Sequence, residues 1–325
     1  HLDQSVMMFA DQSAKPIEVN VEAAKNKAKG TVRLNVPKGW QIEPAELPFD
    51  IDLKGDHQRL VFKVIPTQKD EIGELYAEGI DVSGTYSFDR TKIAYPHITE
   101  QNILVEAKAK IVRLSLKKKG ERLAYVMGAG DEMPQYLRQI GYQVDVLGAD
   151  QLNQATLKNY DAVIVGIRAY NTVTQLKYKQ ADLIAYATAG GTVIVQYNTS
   201  AELVTPNLGP FPFKISRVRV TDENAAMTFL LPEHIVLNQP NKISSKDFDG
   251  WVQERGLYFP ETWDPAYEAV LACNDPGEPA ANGGLLVAKV GKGHYVYSSL
   301  AWFRELPAGV PGAYRLFANL LSLGK

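Results

Sequence analysis

The chain is predicted to be a multidomain β plus α/β protein: an N-terminal antiparallel β-sandwich followed by a flavodoxin-like doubly wound α/β domain. Three observations predict it. Apolar and polar residues alternate up to about Leu116, the period of strands with one face in a core and one in water. Beyond the polar hinge Lys117-Lys118-Lys119-Gly120, short runs rich in Val and Ile take turns with helix-period segments, the order that builds a parallel sheet. The length, 325 residues, is enough for two cores.

The first part, residues 1–118, carries "PIEVNVEA", "GTVRLNVP", "PFDIDL", "QRLVFKVIP" and "ILVEAKAKIVRLSL" as strands. Lys38-Gly39, Gly55-Asp56 and Pro66-Thr67 supply the turns between them, and Trp40 is expected to plug the core. "VPKGWQIEP" with the "VFKVIP" strand resembles the small immunoglobulin-like accessory modules attached to glycosidases and other carbohydrate-active enzymes.

The second part, residues 119–325, opens with "RLAYVMGAG", an apolar strand ending in glycines, and "MPQYLRQIGYQV", a helix with Leu137 and Ile140 on one side. "VDVLGAD" is the next strand. "YDAVIVGIRAYN" is too apolar to be half-exposed and belongs in the middle of the sheet. "QLKYKQADLIAYATAGG" reads as a helix with a glycine stop, and "TVIVQYNTS" as another buried strand. An insertion from about 207 to 265 interrupts the alternation. "GGLLVAKVGKGHYVYSSL" then forms a hairpin turning at Gly291-Lys292-Gly293. In the last helix Ala313, Leu316, Phe317, Leu320 and Leu321 make one apolar stripe, with Pro311 near its start and Gly324 past its end.

Composition narrows the function classes. With 45% hydrophobic and 22% charged residues and a net charge of -2, the chain has no basic footprint for nucleic acid. No apolar stretch reaches the roughly 18 residues of a membrane span. The chain starts at His1 and not at methionine, as a mature or excised fragment would, so the lack of a signal peptide leaves the compartment open. A lone cysteine, Cys273, gives neither a disulfide framework nor a thiolate zinc site and reads as a small buried hydrophobe. The five histidines, at 1, 57, 97, 234 and 294, fall at no metal-binding spacing, so neither a metal nor another cofactor is expected.

In an open parallel sheet ligands bind beyond the carboxyl ends of the strands. That rule selects Asp131 and Glu132 after the first strand, Arg168 and Asn171 after the central one, Gln196 and Asn198 after the next, and Trp302 and Arg304 after the last. This set of carboxylates, guanidinium groups, amides and an aromatic suits a polar, hydroxyl-rich or anionic small molecule such as a carbohydrate. Asp131 and Glu132 admit two readings, caps on the helix that starts near Pro134 or a general acid/base pair. Arg168 is either an anion holder or their structural partner, and Trp302 either a sugar platform or core. "GAGDEM" lacks the third glycine of a dinucleotide fingerprint. Asp247 and Asp249 are too few oxygen ligands for calcium, and the aromatic-rich "KDFDGWVQERGLYFPETWDP" is either a lid on the crevice or a docking surface.

"VIVGIRAYN", "LIAYATAGGTVIVQYN" and "GKGHYVYSSLAWFRELPAG" before a terminal helix resemble the class I glutamine amidotransferase-like superfamily, in particular its ThuA-like branch. Sandwich and α/β domain together resemble the C-terminal region of long bacterial PIG-L/LmbE-type deacetylases. The resemblance implies a periplasmic or extracellular setting, and a catalytic domain of the same parent chain as partner. It brings no catalytic residue. The superfamily's elbow cysteine is replaced by Gln196 and Tyr197, Trp302 stands where the ThuA-like pattern has histidine, and the deacetylases' His-Pro-Asp-Asp zinc motif is absent. The expectation is therefore a non-catalytic accessory region of an N-acetyl sugar deacetylase that binds glycan or docks the catalytic domain. The rival is a sugar-directed hydrolase or isomerase using Asp131 or Glu132.

Overall fold

The computed structural model describes residues 1–325 and divides into two compact units, His1–Ser115 and Leu116–Lys325. In the first unit the strands follow as Val6–Phe9 (β1), Lys15–Glu22 (β2), Ala28–Asn35 (β3), Gln41–Glu43 (β4), Glu46–Ile51 (β5), His57–Ile65 (β6), Glu71–Asp81 (β7), Gly84–Tyr86 (β8), Phe88–Ile93 (β9), Gln101–Glu106 (β10) and Lys108–Arg113 (β11). One sheet has the order β1-β11-β7-β3-β5, with β8 beside β7, and a second has β2-β6-β4. The inward residues of both, among them Val19, Phe62, Leu34, Leu75 and Ile111, form one core. Trp40 is buried in it, edge-on to Phe9 at 5.0 Å, and its indole N–H donates to Glu71 Oε2 at 3.1 Å.

Two features depart from the alternating pattern. The four residues of β1 are all buried, and β1 runs parallel to β11, so the sandwich is not wholly antiparallel. The run "ILVEAKAKIVRLSL", which reads as one strand, is divided at Ala107, whose N–H donates to Ser87 and whose carbonyl accepts from Ala77. Its first part, β10, pairs only with β9 in a two-stranded hairpin whose residues lie largely in water, and its second part, β11, enters the core sheet.

The second unit continues with Arg122–Val126 (β12), Gln143–Val146 (β13), Ala162–Val165 (β14), Thr192–Gln196 (β15), Phe213–Ile215 (β16), Arg219–Val220 (β17), Thr228–Phe229 (β18), Gly256–Leu257 (β19), Pro260–Trp263 (β20), Tyr267–Cys273 (β21), Ala281–Val290 (β22) and Gly293–Ser298 (β23). Its helices are Met133–Gln139 (α1), Gln154–Leu157 (α2), Ala169–Thr172 (α3), Gln180–Thr188 (α4), Ile235–Asn238 (α5), Trp302–Glu305 (α6) and Pro311–Leu321 (α7). Eight strands form one sheet in the order β13-β12-β14-β15-β23-β22-β21-β18. The first five run parallel and the rest antiparallel. Numbered along the chain, the parallel strands stand 2-1-3-4-5, which places a topological switch between β12 and β14.

Every residue of β14 and β15 is buried, as their Val/Ile content requires of central strands. On one face Val163, Val193 and Tyr295 pack with Leu183 and Tyr186 of α4. On the other, α7 packs on β15, and its Phe317 meets Trp302 at 5.3 Å. The inserted segment is part of this fabric: β18 extends the sheet, and a short 3₁₀ turn at Ser245–Phe248 packs on α7. That turn explains why α7 is buried nearly all round and not on one stripe only, and a Cβ at Gly312 would run into the Asp247 carbonyl. Cys273 is buried, and desolvation pushes its thiol up to about 12, so it is inert.

Candidate ligand-binding site

Beyond β14 the chain makes a sharp exit into α3. Arg168 adopts the left-handed conformation (φ 53), and its N–H donates to the Tyr197 carbonyl at 2.8 Å, tying the end of β14 to the end of β15. The loop after β12 presses against this turn. Gly128 makes that approach feasible, since a Cβ there would run into the Ile167 carbonyl.

The same loop holds Asp131. The Tyr125 hydroxyl lies 2.8 Å from both of its carboxylate oxygens, and the Met133 N–H donates to Oδ1 at 3.0 Å. Burial raises the Asp131 pKa, while the hydrogen bonds from Tyr125, Met133 and the Ile167 backbone hold it back. Gln196 Nε2 donates to the Tyr125 hydroxyl at 2.9 Å. Because Tyr125 gives its proton to the carboxylate, Gln196 must present its amide NH₂, and its Oε1 is left buried without a partner.

A second cluster is built on Tyr197, the residue after β15. Its ring lies parallel to Tyr258 at 6.3 Å and tilted against Phe303 at 5.5 Å. Tyr258 comes from the insertion, which pairs with the chain beyond β23: Leu257 N–H donates to the Ser299 carbonyl and Ala301 N–H to the Arg255 carbonyl. Tyr258 is also left-handed (φ 52). A left-handed non-glycine residue costs about 1–3 kcal/mol, and such residues gather at functional sites. Arg304 lies 4.7 Å from the Phe303 ring centroid and donates to Glu254 Oε1 at 2.8 Å; Arg219 donates to Glu254 Oε2 at 3.1 Å. Glu254 is buried, so one carboxylate fixes two guanidinium groups. Burial raises the Tyr197 pKa; Arg168 opposes it, Glu254 adds to it, and Arg304 and Arg219 oppose it, so all four charges act on this hydroxyl.

The expected site residues divide accordingly. Arg168 and Arg304 meet at the Tyr197 cluster, Arg168 exposed with a guanidinium that makes no hydrogen bond or ion pair, and Arg304 half-buried. Asp131 and Gln196 meet beneath, bridged by Tyr125. Glu132 is exposed at the N-cap of α1 and caps nothing with its side chain; Asp131 does that work. Three expectations are corrected. Trp302 is fully buried, wedged between Trp251 and Phe317 with its indole N–H on Ser298, and has no face for a sugar. Asn198 is fully buried, accepting from the Tyr170 N–H and donating to the Gln196 carbonyl, and Asn171 clamps Thr199 and Ala201; both amides are used up in holding loops. Asp247, for which no calcium role was expected, accepts from the Ser244 N–H and from Arg315.

Sequence reasoning missed Tyr258, Glu254 and Arg219. Tyr258 and Glu254 lie in the aromatic and charged "VQERGLYFPETW" stretch and Arg219 in "SRVRV", and neither stretch carries a mark of where it folds. Chemically, the cluster offers aromatic rings and guanidinium groups suited to stacking and pairing, and no nucleophile with a base in reach. Two surface depressions lie away from it, one lined by Gln12, Gln41 and Gln68 and one by Ala181, Ala185 and Lys292.

No protein-family model matches the chain, and no curated protein does. Among solved structures it is similar to cytoplasmic protein STM1381 from Salmonella typhimurium LT2, at 13% identity over 62% of this chain and 98% of that one, with a TM-score of 0.43. A protein described as ThuA-like from Bacteroides uniformis ATCC 8492 is similar at 15% identity over 61% of this chain and 88% of that one, TM-score 0.42. A cold-adapted β-galactosidase from Rahnella sp. R3 shares 16% identity over 62% of this chain and 31% of its own, TM-score 0.38. These are resemblances of low identity, and the strand order above is the chain's own evidence of an α/β unit.

Proposed function

We propose that the chain is a non-catalytic accessory region that binds carbohydrate at the carboxyl ends of β14, β15 and β23, and that its parent is an extracytoplasmic sugar deacetylase. The observation that carries the binding site is the Tyr197–Tyr258–Phe303 cluster flanked by Arg168 and Arg304. The half-buried rings of Tyr258 and Phe303, packed against the buried Tyr197, take up the apolar faces of sugar rings while the guanidinium groups meet hydroxyls. The link to a deacetylase rests on the sequence resemblance.

The acid/base alternative rests on the raised pKa of Asp131. Against it stands the engagement of both carboxylate oxygens by Tyr125 and Met133, which leaves the group positioned as a cap.

A glycan array followed by titration calorimetry tests the proposal. Tyr258→Ala is expected to weaken binding of the best glycan about tenfold, the loss of one stacking face, with the thermal midpoint nearly unchanged. The same glycans are expected to come through incubation unhydrolysed. Release of reducing ends would move the assignment to the Asp131 reading, and no glycan binding, together with no association with a PIG-L-type catalytic domain, would sink it.

A further inference from the structure

We infer that the ligand of the Tyr197 cluster is an acidic carbohydrate, its carboxylate or ester anion held by Arg168 beside the stacked tyrosines. This deepens the carbohydrate reading above and rests on it. The first ground is charge. Arg168, Arg219 and Arg304 surround the cluster, and the buried Glu254 pairs with only the last two, through one oxygen each. That carboxylate balances one positive charge, so the group keeps a cationic excess although the whole chain carries -2. Glu254 also orients its two partners, which makes Arg304 and Arg219 preorganised donors and not free surface side chains.

The second ground is Arg168 itself. Its backbone is held in the left-handed region by the hydrogen bond to Tyr197 and by the Gly128 approach, so its position is fixed by the scaffold. Its guanidinium, however, is exposed and has no acceptor. A fork of donors fixed at its root and without a protein acceptor at its tip is matched by a planar anion, which it takes in two parallel hydrogen bonds. A neutral sugar would leave the excess charge unanswered; nucleic acid is disfavoured because the rest of the chain offers no basic track.

The test uses the full chain and matched tetrasaccharides: galacturonate, mannuronate and hyaluronan oligomers, each beside its neutral methyl ester, with a chitin tetramer and a sulfated chondroitin tetramer. Calorimetry at low salt is expected to show at least one acid bound roughly ten- to a hundredfold more tightly than its own ester, the span of a charge-assisted hydrogen bond. Arg168→Gln is expected to abolish that preference, bringing acid and ester to equal affinity, and added salt is expected to weaken the acid more than its ester. Preference for the sulfated oligomer over every uronate assigns the anion as an ester and upholds the inference. Equal binding of acid and ester, or binding of chitin alone, overturns the acidic ligand and leaves the carbohydrate reading intact. Binding of none of the probes overturns both.

Discussion

Glu305 is fully buried in α6, next to Arg304, and both of its oxygens accept from the Val252 N–H, at 3.3 and 3.0 Å. Burial pushes its carboxyl from 4.5 to about 8, with the Val252 hydrogen bond, Arg255 and Arg304 opposing and Glu254 adding to the rise. The folded protein therefore holds this proton more tightly than the unfolded chain does. Stability conferred by the neutral form is complete below pH 4.5 and is lost as pH climbs toward about 8. Denaturant melts across that window are expected to show wild type weakening with pH and Glu305→Gln doing so less, because a neutral amide has nothing to ionise. Parallel pH profiles for the two proteins would show that the proton is not held there. The same residue-level logic shows what the sequence hides: nothing in the letter R at 168 announces a left-handed backbone, since glycine and asparagine are the usual signs.

Among the elements, those with a strong local period were legible. β14 and β15 stand out as Val/Ile runs, and α7 by its i, i+3, i+4 stripe, because these patterns are set by neighbours in sequence. Misreadings came where distant segments decide. Trp302 looks like a strand-end platform until α7 and Trp251 close over it, and "ILVEAKAKIVRLSL" looks continuous until Ala107 is claimed by two other segments. Gly312 makes this dependence measurable. In isolation alanine there would favour the helix by about 1 kcal/mol, yet the Asp247 carbonyl occupies the space its Cβ needs. Gly312→Ala is expected to destabilise the protein by about 1–3 kcal/mol, the usual cost of overpacking, read as a lower thermal midpoint. A rise in the midpoint would mean that the Ser245–Phe248 turn yields freely.

At the scale of the whole molecule, each unit closes its own core, Phe62, Leu75 and Ile111 in one and Val163, Val193 and Tyr295 in the other. A fragment of residues 116–325 is accordingly expected to fold alone, with a cooperative melt, and to bind the best glycan within about twofold of the full chain, an energy difference of about 0.4 kcal/mol. A fragment that is unfolded by circular dichroism would show that the α/β unit depends on the sandwich. The change in periodicity near residue 116 was the most legible feature of all, since alternation and apolar runs are opposite answers to whether one face of a sheet or both are covered. The site was legible only in half. The strand-end rule picks out Arg168 and Arg304, but Glu254, which orients Arg304, arrives by the pairing of Gly256 with Leu300, a contact no local pattern encodes.

That pairing separates two inheritances. The sheet supplies Arg168 and Tyr197, while the inserted segment supplies Tyr258 and Glu254. On the proposed reading, variation at Tyr258 replaces a ring beside the ligand without touching a residue of β14 or β15. On the proposed carbohydrate reading, a library confined to Gln253 and Tyr258 is the route to retargeting, since Glu254, Arg255, Gly256 and Leu257 between them are buried in the fold.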